Sequence, residues 1–87
     1  MIINIRELYV DIENRKYDIT KKERQFILLL ADNKIHSIDE VKKYMKFKTR
    51  NPLYQLNFRL NDRIPELKIK NRYKKGYYTD AEILVTY

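Results

Sequence analysis

The sequence predicts an α+β fold in which short N-terminal β-strands are followed by three helices and a C-terminal β-hairpin. Apolar and polar residues alternate up to Ile19, as they do in half-buried strands. Three helix-start signals follow, at Thr20, Ser37 and Asn51. Beyond the third helix the alternation returns and is interrupted by Gly76, the only glycine of the chain.

The first 19 residues are predicted to form two or three short strands. Apolar side chains occupy every second position from Ile3 to Ile5 and again from Leu8 to Ile12. After a turn at residues 13–15, Tyr17 and Ile19 continue the pattern. A period of two places all of these side chains on one face of a strand, which we expect to cover the core.

The first helix is predicted to begin at Thr20. The segment Thr20-Lys21-Lys22-Glu23 has the form of a capping box, in which the Thr hydroxyl and the Glu carboxylate accept from amide groups that a helix start leaves unpaired. The helix should run to about Asp32, where Asn33-Lys34 ends it. Its apolar content predicts contact with the core over most of its circumference.

The second helix is predicted to begin at Ser37, because Ser37-Ile38-Asp39-Glu40 repeats the same start signal. Its apolar stripe, at positions i, i+3 and i+7, consists of Ile38, Val41 and Met45. Three lysines are expected to face away from the core: Lys42, Lys43 and Lys46.

The third helix is predicted to start at Asn51-Pro52, with Asn51 as the cap and Pro52 at the first helical position, where its missing N–H costs nothing. The helix should end before Pro65, which cannot donate to the preceding turn. Its buried stripe is Leu53, Leu56, Leu60 and Ile64. Residues 20–64 therefore form the predicted three-helix core.

The opposite face of the third helix is predicted to bind a partner. At about 100° per residue, that face carries Asn51, Gln55, Phe58, Arg59 and Asp62, with Tyr54 on its flank. Asn, Gln and Arg side chains suit base edges and phosphates. An ordinary solvated surface is the alternative, but the neighbouring Lys48 and Arg50 favour binding. Two roles are open for Phe58: it packs under a hairpin or a partner, or it contacts a base directly.

Residues 67–79 are predicted to form a β-hairpin. Side chains alternate from Leu67 to Arg72, and the chain then turns at Tyr73-Lys74-Lys75-Gly76. We expect Gly76 to supply a positive φ and the two lysines to project at the tip. Lysines at such a position also protect an exposed strand edge from further pairing, and both roles can coexist.

A last strand is predicted within residues 81–87, where Ile83, Leu84 and Val85 are consecutive. This strand either pairs inside the fold or offers an edge to a second subunit. The sequence does not decide between these two pairings. Pairing with a second subunit would make the protein a homodimer.

Positive charge is concentrated in the second half of the chain. Up to Glu40 there are seven basic and eight acidic residues, whereas from Val41 onward there are twelve basic and four acidic residues. The net charge of the 87 residues is +7. Concentrated cations bind a phosphate backbone by releasing its counterions, so nucleic acid is the predicted partner.

Composition argues against metal, cofactor and catalytic chemistry. The chain has no Cys and one His, which excludes the usual zinc frameworks and cysteine nucleophiles. One glycine cannot form a Gly-rich phosphate loop. Glu23 and Glu40 are expected to cap helices, and His36 is expected in a loop at the surface or beside a cap. We therefore expect no enzymatic activity and no cofactor.

Membrane association is not expected either. The longest apolar run, Phe26 to Ala31, is far too short to cross a bilayer, and the N-terminus lacks the order of a signal peptide. We expect one domain spanning residues 1–87, located in the cytoplasm with the nucleoid.

Several segments resemble the OmpR-type winged helix-turn-helix DNA-binding family, the C-terminal domains of transcriptional regulatory proteins. Ile19–Leu30 resembles the stretch that opens their first helix, and Ser37–Val41 resembles the start of their second. The third helix, followed by Ile69 and Gly76-Tyr77, is similar to their recognition helix and wing. The resemblance covers residues 8–79 and depends on the order and spacing of the pieces.

The resemblance implies sequence-specific binding of double-stranded DNA by a small transcriptional regulator. Its third helix would lie in the major groove, and its hairpin wing would reach the flanking minor groove or phosphates. Matched by position, the recognition residues are Arg50, Asn51, Tyr54, Gln55, Phe58 and Arg59. The wing residues are Arg72, Tyr73, Lys74 and Lys75, and those expected on the DNA backbone are Lys48 and Thr49.

Three features depart from the family pattern. We expect no receiver domain with an acidic phosphorylation pocket, and the N-terminal sheet is predicted to be shorter than in the family. The connection from Met45 to Asn51 is brief where many relatives have a loop that meets RNA polymerase. A lysine replaces the first glycine of the wing. An alternative function stays open, a winged-helix module that binds polymerase or a replication factor through Phe58, Tyr54 and the last strand.

Overall fold

The computed structural model describes residues 2–4 and 7–86. Its helices are α1 (Lys21–Leu30), α2 (Ile38–Met45) and α3 (Asn51–Arg63). Its strands are β1 (Ile2–Asn4), β2 (Tyr9–Ile12), β3 (Arg15–Asp18), β4 (Ile69–Arg72), β5 (Gly76–Thr79) and β6 (Leu84–Thr86). The predicted α+β composition is confirmed. Ile5 and Tyr87, placed in the first and last predicted strands, lie outside the described residues.

A four-stranded sheet in the order β3-β2-β1-β6 covers one side of the core. Its β1–β2 and β2–β3 pairs are antiparallel, and Ile3 lies opposite Val10. The turn before β3 is tighter than predicted, since Glu13 and Asn14 adopt positive φ angles and Arg15 already belongs to the strand. Strand β6 runs parallel to β1, so the last strand pairs inside the fold.

Helix α1 begins with the predicted capping box. The Thr20 hydroxyl accepts from the Glu23 N–H at 3.1 Å, and the Glu23 carboxylate accepts from the Thr20 N–H at 2.8 Å. The helix ends at Leu30, slightly before the predicted Asp32. Asn33 then adopts a φ of 60° while its N–H donates to the Leu30 carbonyl, which closes the helix.

Helix α2 has half of the predicted capping box. The Ser37 hydroxyl accepts from the Glu40 N–H at 3.1 Å, so Ser37 is the cap. The Glu40 carboxylate, however, lies on the ring of His36 rather than on the Ser37 backbone. Val41 and Met45 are buried, as the stripe predicts.

Helix α3 starts one residue earlier than predicted. Arg50 already has helical backbone angles and is the N-cap, so Asn51 is the first helical residue rather than the cap. Pro52 thus comes second in the helix, where its lack of an N–H still costs little. The helix ends at Arg63, as expected from Pro65.

Strands β4 and β5 form the predicted antiparallel hairpin. It begins at Ile69 rather than Leu67, because Pro65–Leu67 forms a 3-10 turn. At the tip, the Lys75 N–H donates to the Arg72 carbonyl at 2.9 Å, and Lys74 has a φ of 61°. A positive φ at this third position is the geometry of a type II turn.

One hydrophobic cluster takes side chains from both sheets and all three helices. Phe26 of α1 meets Tyr77 of β5 edge to face, with ring centroids 5.7 Å apart. Leu53 and Leu60 bury one side of α3 against this cluster. No helix within residues 2–4 and 7–86 is long and apolar enough to cross a membrane.

Candidate nucleic-acid interface

The polar face of α3 is open to solvent. Leu53 and Leu60 are fully buried on one side of the helix. The side chains predicted on the other side are all exposed: Asn51, Tyr54, Gln55, Phe58, Arg59 and Asp62. Phe58 is not covered by the hairpin, since 72% of its surface is exposed. The helix is therefore anchored by one face and presents the other.

The start of α3 and the tip of the β4–β5 hairpin line one open cleft with a volume of about 520 Å³. We call it the α3–hairpin cleft. Arg50 and Tyr54 come from the start of α3. The hairpin contributes Asn71, Tyr73, Lys74, Lys75 and Gly76, and the start of α2 contributes Ser37, Ile38 and Asp39.

Backbone contacts with His36 position the hairpin beside α2. The His36 N–H donates to the Tyr77 carbonyl at 2.9 Å, and the Tyr77 N–H donates to the His36 carbonyl at 2.8 Å. Gly76, with a φ of 128°, lies so close that a Cβ atom there would collide with the His36 carbonyl oxygen. The chain's only glycine is thus needed for its φ and for this close approach.

Side-chain hydrogen bonds tie the base of the hairpin to α3 and to the segments that follow α1 and α3. The Thr79 hydroxyl donates to the Leu67 carbonyl. The Asn33 amide, which follows α1, donates to the carbonyls of Thr79 and Ala81 at 2.8 and 2.9 Å. The Asn61 amide of α3 donates to the Ile69 carbonyl at 3.2 Å. These bonds fix the hairpin relative to α3.

The cations near α3 and the hairpin tip differ in how they are paired. Among the described residues, no carboxylate oxygen lies within 4.0 Å of the charged groups of Lys48, Arg50, Arg59, Arg72 or Lys75. The Lys74 ammonium lies 5.4 Å from the centre of the Tyr73 ring. Arg63, in contrast, pairs with Glu23 at 3.0 Å, and Lys70 lies 3.8 Å from Asp80. The unpaired cations remain available to an external anion.

The cleft is cationic but not uniformly so. Arg50, Lys74 and Lys75 face it, and Asp39 is the only carboxylate among the described residues that line it. At the neighbouring core, burial and the nearby Tyr54 raise the pKa of Tyr77 to about 12. The Tyr77 hydroxyl therefore stays neutral at physiological pH.

The structure brings five of the predicted site residues together in the α3–hairpin cleft: Arg50, Tyr54, Tyr73, Lys74 and Lys75. The others are exposed but do not line it: Lys48, Thr49, Asn51, Gln55, Phe58, Arg59 and Arg72. In β4, Arg72 alternates with Asn71, and it is Asn71 that lines the cleft.

Sequence reasoning missed Asn71 and the first turn of α2 as parts of the cleft. Asn71 lies two residues after the buried Ile69 in β4 and so shares its face, which beyond the core reaches the cleft. The period of two could have identified it. No local signal identifies Ser37, because its position depends on the backbone contacts between His36 and Tyr77.

The chain was compared with protein-family models, with curated proteins and with solved structures, and none of these comparisons gives a match.

Proposed function

We propose that this chain is a winged helix-turn-helix protein that binds double-stranded DNA sequence-specifically and acts as a small transcriptional regulator. Helices α2 and α3 would form the helix-turn-helix, and the β4–β5 hairpin would be the wing. The observation that carries the proposal is the α3–hairpin cleft, where Arg50, Lys74 and Lys75 face one opening. A cationic groove beside an exposed helix suits a polyanion.

The exposed face of α3 supplies groups suited to base edges. An α-helix is about 10 to 12 Å wide with its side chains, and the major groove of B-DNA is about 12 Å wide. Asn51, Gln55 and Arg59 follow at intervals of four along the exposed side. Their amide and guanidinium groups can pair with adenine and guanine. In the proposed complex this stripe reads sequence.

The hairpin supplies cations for the DNA backbone. Lys74 and Lys75 lie at its tip, and Arg50 faces them across the cleft. With Lys48 and Arg72 added, about four cations would meet phosphates while Arg50 and Arg59 meet base edges, which predicts a slope near −4 for log affinity against log salt. The start of α2 adds the positive end of a helix dipole, which Asp39 partly offsets.

The test compares four alanine variants on a site selected from random duplex DNA. Binding is measured by fluorescence anisotropy over a series of salt concentrations. Gln55→Ala and Arg50→Ala should each lose about 1 to 3 kcal/mol of discrimination at particular base pairs. Lys74→Ala should weaken binding to all sequences and reduce the salt slope by about one.

Lys70→Ala is the matched control for Lys74→Ala. It removes the same charge from the same hairpin, but Lys70 lies near Asp80 and outside the cleft. It should change affinity less than about twofold, as paired surface charges do. Equal losses for both variants would mean that the cleft does not bind the DNA.

The exposure of Phe58 favours a second candidate function, a winged-helix module that binds another protein such as polymerase or a replication factor. Phe58 is 72% exposed and Tyr54 is 42% exposed one turn earlier. Adjacent exposed aromatic rings are typical of protein interfaces. A gel shift with sheared DNA at moderate salt separates the candidates, because no retardation at micromolar protein would favour the second.

A further inference from the structure

We propose that His36 is a positioning residue whose protonated ring holds the β4–β5 hairpin in its DNA-binding position, so that raising the pH weakens DNA binding. The DNA part of this proposal rests on the proposed function. The effect of pH on the hairpin itself does not, and it can be measured without DNA.

Both ring nitrogens of His36 face carboxylates. Nδ1 lies 2.9 Å from Oε1 of Glu40, and Nε2 lies 2.9 Å and 3.0 Å from the two oxygens of Asp32. Ionised carboxylates only accept hydrogen bonds, and a neutral imidazole has a single N–H. Both contacts are therefore hydrogen bonds only when the ring carries two protons and a positive charge.

The same residue joins the hairpin to the helices. The His36 backbone exchanges two hydrogen bonds with Tyr77, and its carbonyl oxygen lies against Gly76. Asp32 follows α1, and Glu40 belongs to the first turn of α2. A change in the ring contacts therefore acts on the segment that positions the hairpin.

The surroundings of the ring favour its charged form. His36 is 8% exposed. Burial by itself lowers the pKa of His36, but the hydrogen bonds and negative charges of Asp32 and Glu40 outweigh burial and raise that pKa above its ordinary value of 6.5. From β5 the titratable neighbour is Tyr77, which stays neutral. Lys34 acts on Asp32 and helps to keep that carboxylate ionised.

Loss of the ring proton removes one of these hydrogen bonds. One carboxylate then faces a nitrogen lone pair at about 2.9 Å, which is repulsive. The repulsion is relieved when the end of α1, the start of α2 or the segment between them moves. That segment carries the backbone contacts to Tyr77, so the hairpin loses part of its support at the edge of the cleft.

Nuclear magnetic resonance tests the hairpin part with unambiguous signals, since the chain has one His and one Gly. Between pH 5.5 and pH 9 the ring of His36 should titrate above its ordinary pKa. The amide signals of Gly76 and Tyr77 should shift with the same midpoint. Glu40→Gln keeps a polar partner but removes one charge, so it should lower the midpoint of all three signals.

A His36 midpoint at or below its ordinary value would overturn the proposal. Amide signals of Gly76 and Tyr77 that do not follow the ring would overturn it as well. Glu40→Gln keeps the proposal testable even when His36→Gln does not fold, because it retains the buried ring.

Duplex DNA of a selected sequence tests the second part at constant ionic strength. Wild-type affinity should fall about fivefold from pH 6 to pH 8.5, the scale of a modest coupling between two sites. His36→Gln should show less than half of that change. If the NMR signals titrate together but no DNA is bound, only the proposed function is contradicted. If wild type and His36→Gln show the same pH dependence of DNA affinity, the role of His36 in binding is contradicted.

Discussion

Arg63 at the end of α3 and Glu23 in the first turn of α1 form an ion pair, with 3.0 Å between Nη2 and Oε1. The Glu23 side chain is only 4% exposed, and the same carboxylate oxygen accepts from the Thr20 N–H. Arg63 also donates to the Asp18 carbonyl at 2.8 Å. The Glu23 carboxylate thus joins the start of α1 to the end of α3, and the Arg63 guanidinium extends the link to the end of β3.

Arg63→Ala should lower the free energy of unfolding by about 2 kcal/mol. The substitution leaves the Glu23 charge buried with one partner fewer, and breaking a buried pair is costly because the remaining charge is uncompensated. The exposed half of the arginine side chain keeps the loss below that of a fully buried pair. Urea denaturation at neutral pH measures the difference.

Arg59→Ala is the matched control, four residues earlier on the exposed face of α3. It should change the free energy of unfolding by less than about 0.5 kcal/mol. DNA binding should show the opposite order of effects. Arg59→Ala should weaken binding, whereas the Arg63→Ala protein that is folded should bind normally. Equal unfolding losses in the two variants would mean that the Glu23 contact contributes nothing measurable.

Gly76→Ala should loosen the hairpin. Its methyl group would collide with the backbone carbonyl of His36, and a φ of 128° is one that side chains rarely adopt. We expect a loss of about 2 to 4 kcal/mol in unfolding free energy, since backbone strain and a steric clash add.

Lys75→Ala, the adjacent change, has neither problem and should leave thermal stability within about 0.5 kcal/mol. Faster hydrogen exchange at the Tyr77 and His36 amides of Gly76→Ala would locate the damage at the hairpin. Unchanged exchange at both amides would contradict the close approach between the hairpin and His36.

Local chemistry explains why much of the fold could be predicted. The Thr20–Glu23 capping box, the stop at Pro65 and the positive φ of Gly76 depend on residues within a few positions of each other. The buried stripe of α3 follows from helical periodicity alone. The predicted start of α3 was wrong by one residue: Asn51 is the better capping residue by type, but Arg50 takes the N-cap position with helical backbone angles and no side-chain capping bond.

Long-range contacts explain what could not be predicted. His36 was expected in a loop at the surface or beside a cap; it does precede the cap Ser37, but it is buried between Asp32 and Glu40. Asp32 and Glu40 are each four residues from His36, the spacing of neighbours on a helix. However, α1 ends before Asp32, so the three residues do not lie on one helix and the spacing does not predict their contact. The pairing of Arg63 was likewise not predicted, because its partner Glu23 lies 40 positions earlier.

Asp39→Asn should strengthen DNA binding. Asp39 is the only carboxylate that the described part of the chain places in the α3–hairpin cleft, so its removal leaves Arg50, Lys74 and Lys75 unopposed there. We expect about a twofold to fivefold gain for all sequences at low salt, the scale of one surface charge interaction.

Asp39 also lies in the first turn of α2, where a negative charge stabilises the helix dipole by about 0.3 to 1 kcal/mol. A small loss of stability should therefore accompany the gain in affinity. Glu66→Gln, which removes a carboxylate outside the cleft, is the control and should gain less. A smaller gain for Asp39→Asn than for Glu66→Gln would place the DNA elsewhere.

The His36–Asp32 contact should contribute to the free energy of unfolding only between two pH limits, one basic and one acidic. The pKa of His36 is raised in the folded state, so its contribution is fully present below the ordinary value of 6.5 and is lost as the pH rises through the folded-state pKa. For Asp32, burial alone would raise the pKa, but the hydrogen bonds from His36 and the Lys34 N–H lower it. Its contribution is present above the ordinary value of 3.8 and is lost as the pH falls through the folded-state pKa.

Urea denaturation from pH 3 to pH 9 measures both limits. On the basic side, wild type should lose about 1 to 2 kcal/mol, the scale of a hydrogen bond between charged groups. Asp32→Asn removes the negative charge beside the ring, so the basic loss should begin at lower pH, and the acidic loss should shrink. His36→Gln should abolish the basic loss. His36 is the only histidine in the chain, so the His36→Gln variant has none. If this variant loses as much unfolding free energy at basic pH as wild type does, another group causes that loss.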